Sequence, residues 1–382
     1  MASGMKKASA IMQRTFINRD EIIEHLGKAE IKLVLPQGED PVLVLKKPIS
    51  YEYETVPITK KGIFRSAKKV IYTIASRSLF TSTGKMTAGS FSTPAGPPGS
   101  TQGACPAAAI GPKYQAFKRL GDVDQGNVDA SKFICRFCYA NKSNYMHRGP
   151  QSGQILRHIW LQRQLAEKSI EQVAGILTEA LGLHASNTEK REAMEEDPRF
   201  FRIHDSGDLF DSGGHGQGPG IKALLVWYNV SESLPGINFW CPTRMWVFPY
   251  FTKFVQDNPP PENLALRPSA LHFDDTAPMV DGFAAGTAAH YWQKEKQTRP
   301  VQGGIADLAC PAYAGGGASC GGALRRAKSD PEYKNNPTEV GAFRDLVQEA
   351  VSDPVLRELT SDGSDCRACW LFKDKRISYK AH

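Results

Sequence analysis

The sequence predicts an α/β fold built on a parallel sheet, arranged as a full or partial (β/α) barrel. Three observations carry this. Short β-rich apolar runs alternate with segments whose apolar residues recur every three or four positions, turn residues separate the two, and polar residues gather where the predicted strands end. In parallel α/β sheets the chemistry collects beyond the carboxyl ends of the strands, so those residues are the candidates for function.

In chain order, Ile31–Leu35 and Val42–Leu45 flank the turn sequence Gly38-Glu39-Asp40-Pro41, which predicts a hairpin. Val70–Ala75 is a further β-branched run, and residues 84–113, rich in Gly, Pro, Ser, Thr and Ala, read as loop carrying Cys105. After Gln151 the pattern becomes helical: Ile170, Val173, Leu177 and Leu181 share one face. Arg199–His204 reads as a short strand running into Asp205-Ser206-Gly207-Asp208. Ile221, Leu224, Leu225 and Tyr228 then mark a helix, and Ile237–Cys241 a strand ending at Pro242-Thr243-Arg244. Tyr250–Val255 reads as a short helix, Asn263–Arg267 and Ala270–Phe273 as strand material bearing His272, and residues 342–347 as helix. This divides the chain into an N-terminal β-rich segment (1–69), an α/β core with the first cysteine group (70–309) and a cysteine-anchored C-terminal extension (310–382).

A chain of 382 residues, 41% hydrophobic and 23% charged, is long enough for one large domain with appendages or for two domains. No secretory core follows Met1–Lys7 and no apolar run reaches membrane-spanning length, so the expected address is cytoplasmic, without a membrane partner. In such a compartment clustered cysteines bind metal or do redox chemistry more often than they form disulfides. The net charge of +7, with 47 Lys and Arg against 40 Asp and Glu, permits a nucleic-acid or nucleotide partner. It does not require one, because Lys60-Lys61, Lys68-Lys69 and Arg325-Arg326 are only short clusters of the kind found on solvated surfaces.

Seven of the eight cysteines form two groups. Cys105, Cys135 and Cys138 are three, the count for an iron–sulfur cluster with one open iron; with His147 they would instead close a zinc site. Cys310, Cys320, Cys366 and Cys369 are four, the count for a closed structural zinc or a second four-iron cluster, and Gly315-Gly316-Gly317 and Gly321-Gly322 let the chain turn tightly around it. Cys241, between Trp240 and Pro242, reads as a buried small residue. Among the strand-end residues, His204, Asp205 and Asp208 suit general acid–base work or a divalent ion, although Asp-Ser-Gly-Asp is also good turn sequence. Arg244 offers a planar fork to a carboxylate or phosphate.

Taken in order, Cys105-Pro106-Ala107, Cys135-Arg136-Phe137-Cys138-Tyr139-Ala140, Arg202–Asp208, Thr243-Arg244, Cys310-Pro311 and Cys366–Trp370 resemble the gene product 88-like family of phage and actinobacterial proteins, over roughly residues 85 to 372. More loosely, the Cys-x-x-Cys-Tyr-Ala stretch in a βα-repeating chain is similar to radical S-adenosylmethionine enzymes. That likeness implies Val70–Ala75 as the first barrel strand, a four-iron cluster on Cys105, Cys135 and Cys138, and S-adenosylmethionine bound by Asp205, Ser206, Gly207 and Asp208. It also implies catalysis by His204, Asp205, Asp208 and Arg244 and an electron donor as partner. The chain departs from those enzymes in one respect, since Cys105 lies far upstream of Cys135 rather than in one compact loop.

The expected function is therefore an iron–sulfur enzyme modifying a nucleotide or nucleic acid. The alternative is a zinc-stabilised nucleic-acid-binding protein, in which Phe137, Tyr139 and Tyr145 stack on bases amid Arg136, Lys142 and Arg148. A thiol oxidoreductase is disfavoured, because neither Cys-x-x-Cys lies between a strand and a helix in thioredoxin fashion.

Overall fold

A computed structural model describes residues 19–55, 68–82, 89–95, 104–106, 134, 138, 148–193, 197–210, 220–290, 304–310 and 367–380. The first helix, α1 (Arg19–Lys28), buries Ile22 and Leu26, four residues apart on one face. β1 (Ile31–Val34), β2 (Val42–Thr55) and β3 (Lys68–Ser78) then form a three-stranded antiparallel sheet. The expected hairpin is β1 on β2, with Ile31 opposite Leu45.

Val70–Ala75 lies in β3, antiparallel to β2, and not in the parallel sheet as the radical-enzyme likeness implied. Its side chains explain the difference: Ile74 is fully buried while Ile71 is 70% exposed. Such alternation suits a sheet with one wet face, whereas a parallel strand covered on both sides is apolar throughout.

The second sheet has eight strands in the order β10-β11-β9-β8-β7-β6-β5-β4. They are β4 (Thr81–Ser82), β5 (Gly89–Phe91), β6 (Phe200–Ile203), β7 (Asn238–Thr243), β8 (Leu264–Phe273), β9 (Thr287–His290), β10 (Leu308–Ala309) and β11 (Ile377–Lys380). All neighbouring pairs are parallel except β4 with β5. Among the described residues the sheet is open, with β4 and β10 at its edges, so it is α/β without a closed barrel.

The first parallel strand is β5, inside the stretch that composition marked as loop. All three of its residues are buried, and Gly89 is there for packing, since a Cβ would come within 2.5 Å of His184 Nε2. From β5 the strands step across the sheet in chain order to β9. Between β5 and β6 run α2 (Arg148–Glu167), α3 (Ile170–Ser186) and α4 (Thr188–Ala193). Next come α5 (Ile221–Ser233) between β6 and β7, and α6 (Pro249–Asp257) between β7 and β8. A capping box starts α3: Ser169 Oγ accepts from Gln172 N–H, and Gln172 Oε1 accepts from Ser169 N–H. Gly286 lies close under β8, where a Cβ would stand 2.7 Å from the Pro268 carbonyl oxygen.

Period-two alternation divides the sheet between two cores. Phe201, Ile203, Phe239, Cys241, Leu264 and Leu266 join the main core with residues of α3 and α5. Phe200 and Trp240 enter a second core with Leu308, Cys369, Trp370 and Ile377. The short helix α7 (Ala368–Leu371) packs there, and β11 inserts between β9 and β10. Arg267, fully buried on β8, fixes this tail by donating to the carbonyls of Ala285, Ala368, Cys369, Phe372 and Lys375. The helix expected at 342–347 lies outside the described residues.

A buried ionic cluster joins the two layers near β5. Asp40 accepts two hydrogen bonds at 2.9 Å from Arg191 Nη2 and pairs with His184 Nδ1 at 3.0 Å, while Lys190 Nζ lies 2.6 Å away. Burial alone would raise the Asp40 pKa, but hydrogen bonds from His184 and Lys190 and the charges of His184 and Arg191 hold it well below the usual carboxylate range.

Candidate functional site at the strand ends

The carboxyl ends of β5, β6 and β7 bring Thr93, His204, Asp208, Thr243 and Arg244 together. His204 N–H donates to Phe91 O at 2.7 Å, extending the parallel ladder one residue past β6. The backbone then turns sharply, with His204 at φ +62°. A non-glycine residue in this left-handed region costs roughly 1–3 kcal/mol and persists only where its surroundings impose it. The ring is 2% exposed, and Nδ1 lies 3.2 Å from Thr93 Oγ1. Burial, reinforced by His158 and Arg202, pushes its pKa down to about 3, so the imidazole is neutral at pH 7. Its Nε2 is buried without a hydrogen-bond partner among the described residues.

The following turn is clamped to the end of β5. Ser206 Oγ donates to Thr93 O at 2.7 Å and Thr93 N–H donates to Ser206 O at 3.0 Å. Gly207, at φ +82°, lies so close that a Cβ would overlap Thr93 Oγ1 and stand 2.7 Å from its carbonyl oxygen. Glycine is the residue that fits there.

Asp208 links the β6 turn to the end of β7. Its Oδ1 accepts from Thr243 Oγ1 at 2.6 Å and from Leu209 N–H at 2.7 Å, and Oδ2 accepts from Arg244 N–H at 2.7 Å. Burial dominates these bonds and raises its pKa to about 6. Thr243 Oγ1 also accepts from Met245 N–H at 3.0 Å, which continues the chain of hydrogen bonds into the next turn. Arg244 Nε donates to Ala270 O at 3.3 Å, so its guanidinium spans the ends of β7 and β8. Cys241 is buried as expected, its thiol pushed up by burial and by the nearby Asp208.

Asp205 faces a different neighbour. Its carboxylate is 2.8 Å from Arg202 Nη1, and that guanidinium lies 4.4 Å over the Trp240 ring. It therefore belongs to an ion pair stacked on the sheet, while Asp208 lines a cavity with His204. His272, at the far end of β8, has Nδ1 3.7 Å from Asp275.

That cavity measures about 10 Å³, room for a single water molecule. Thr93, His158, Gln162, His204 and Asp208 line it with apolar residues of α2 and α5. Thr93, His158 and Gln162 were not among the sequence candidates. The spacing of His158, Leu161, Gln162 and Leu165, one helical face with two polar members, is the signal that could have found two of them. Nothing local in the sequence marks Thr93.

Of the first cysteine group, Cys105 is buried in the main core just beyond β5, where Ala104 N–H donates to Pro94 O at 2.8 Å, and Cys138 packs against the same core. Cys135 lies outside the described residues. Of the second group, Cys310 and Cys369 share the second core, and Cys320 and Cys366 lie outside the described residues. Cys369 Sγ is 2.9 Å from the Tyr379 hydroxyl, whose pKa is pushed up by burial and then by both Cys369 and Cys310. Among the described residues no three metal-ligating side chains converge. No described helix is long and apolar enough to cross a membrane.

Neither the curated proteins nor the solved structures contain a match to the chain. One family model, described as Gene product 88, matches residues 64–370, from the first pairs of β3 through the cavity to Trp370 beside the second cysteine group. The chain belongs to the Gene product 88 family.

Proposed function

We propose that this protein is an iron–sulfur enzyme, organised like the radical S-adenosylmethionine enzymes, that modifies a nucleotide or nucleic acid in the cytoplasm. One observation carries the reading. Cys105 and Cys138 fall between the first parallel strand β5 and helix α2, and the next parallel strand, β6, runs directly into His204–Asp208. Cysteines after one strand and a polar glycine turn after its neighbour would bring both groups to the same end of the sheet, where α/β ligands bind.

Cysteine spacing supports such a group. Cys105 and Cys138 pack on one core, and Cys135 precedes Cys138 in a Cys-x-x-Cys spacing that folds both sulfurs toward one point. These three would hold a four-iron cluster, which supplies one-electron chemistry when bound and takes its electrons from a separate donor. Ser206, Gly207 and Asp208, together with Asp205 once released from Arg202, would hold S-adenosylmethionine. The chain's own part is positioning: the Thr93–Ser206 bonds fix the turn, Asp208 ties it to Thr243 and Arg244, and His204 keeps a neutral imidazole at the strand end.

A second four-iron cluster or a structural zinc on Cys310, Cys320, Cys366 and Cys369 is supported by Arg267. Its buried guanidinium meets backbone carbonyls and makes no direct ion pair with a carboxylate among the described residues, and Cys369, Tyr379 and Asp374 lie within its electrostatic reach. An anionic thiolate centre would balance that charge.

Anaerobic purification followed by iron, sulfide and zinc analysis tests the proposal. Brown protein that loses its iron in Cys138→Ala supports it, and colourless protein holding zinc alone refutes it. The substrate class is tested separately: binding of single-stranded nucleic acid should weaken steeply with salt, and binding indifferent to salt argues against it.

A further inference from the structure

The cavity at the ends of β5 and β6 is lined by His204 and Gln162, and the Nε2 atom of each is buried without a hydrogen-bond partner among the described residues. An unsatisfied buried polar atom costs about 1–3 kcal/mol, and two of them on side chains that line one small cavity mark a place where something binds. Their chemistry says what. Gln162 Nε2 is an amide donor. For His204, the buried hydroxyl of Thr93 has Nδ1 as its hydrogen-bond partner; when it donates there, the ring proton sits on Nε2, which becomes a second donor. Asp208, on the same wall, has its oxygens committed to Thr243, Leu209 and Arg244 N–H, and it carries negative charge when ionised.

We infer that this cavity binds the carbonyl oxygen of a neutral ligand, an amide, urea or nucleobase-like carbonyl, held by His204 Nε2 and Gln162 Nε2. The volume admits one oxygen atom, so the rest of the ligand lies outside it. A carboxylate is disfavoured, because His204 is neutral and Asp208 would repel it. His158, one turn before Gln162 on α2, borders the same cavity and supplies a further polar contact for the ligand. The strained backbone at His204 has a role here: the left-handed residue turns the chain back after β6 and leaves the ring in the cavity wall.

The inference deepens the nucleotide reading of the same site but requires no iron. The probes are acetamide and formate, measured by protein-observed NMR at matched ionic strength on protein of known metal content. Acetamide should bind at least about tenfold more tightly than formate to the wild-type protein, and Gln162→Leu should weaken acetamide by three- to tenfold, the worth of about one neutral hydrogen bond. A crystal soaked in acetamide should show its oxygen in hydrogen-bond range of both nitrogens. Three results overturn the inference: equal binding of the two probes, acetamide binding unchanged in Gln162→Leu, or a cavity holding an ordered water only at saturating acetamide. Should Gln162→Leu fail to fold, the acetamide-to-formate ratio of the wild type decides alone. Loss of iron with this ratio intact would sink the cluster proposal and leave the cavity standing, and the reverse result would do the opposite.

Discussion

Replacing Gly207 by alanine is expected to destabilise the protein by about 3–4 kcal/mol, and the number comes from two sources. The backbone sits at φ +82°, where a side chain costs roughly 1–2 kcal/mol. The added Cβ would then overlap Thr93 Oγ1 and lie 2.7 Å from the Thr93 carbonyl oxygen and 2.9 Å from its carbon. A hydroxyl can rotate away, but the carbonyl cannot, because it accepts from Ser206 Oγ while the Thr93 N–H donates to Ser206 O. The turn must withdraw, and losing both bonds adds about 2 kcal/mol. Urea denaturation of wild type, Gly207→Ala and Gly207→Ala in a Thr93→Ala background measures this. The Thr93 change should recover only a minor part, since the carbonyl contact remains. Unfolding of Gly207→Ala within about 0.5 kcal/mol of wild type, or full recovery by Thr93→Ala, would refute the clamp.

Arg267→Met should leave several buried carbonyls of α7 and its flanks without donors, at about 1–3 kcal/mol each, and raise hydrogen exchange across residues 367–380 well above that of β6 and β7; equal protection in the variant argues that the arginine does not pin the tail. Asp40→Asn should cost about 3 kcal/mol at pH 7, because Arg191 is left buried with its ion pair broken. Since the folded pKa of Asp40 lies below its unfolded value of about 3.9, this stabilisation is full above that pH and is lost as pH falls further. The gap between wild type and Asp40→Asn should therefore narrow as pH falls below 4, and a gap unchanged at pH 3 would show that the carboxylate charge contributes nothing. Stripping metal with a strong chelator should lower the melting temperature of the wild type and not that of Cys310→Ser/Cys369→Ser, and an equal drop in both would separate the tail from any metal.

What the sequence made legible was the periodicity. Ile170 to Leu181 and Ile221 to Tyr228 are helix faces against the main core, and Phe200–Ile203 and Asn238–Thr243 are parallel strands whose ends hold His204, Asp208 and Thr243, as their order along the chain suggested. Strands made of small residues escaped it. β5 is Gly-Ser-Phe, loop-like in composition, and its identity comes from the neighbours it fits between. Val70–Ala75 misled in the opposite sense, because β-branched content marks a strand without saying which sheet takes it. Thr93 became visible only when α2 was folded against the ends of β5 and β6, whereas His158 and Gln162 share a helical face that was legible but not read as a site, and Arg267, an ordinary surface residue by type, is buried because a distant tail brings it carbonyls.

The place of β11 in the sheet has a consequence for how the protein is made. Residues 377–380 fill the slot between β9 and β10, so those two strands emerge from the ribosome long before the segment that joins them. Until it arrives, one margin of a half-finished sheet stays unpaired, an open template for another nascent chain. Strands β5 to β8 need no such wait, since each meets its partner in the order of synthesis.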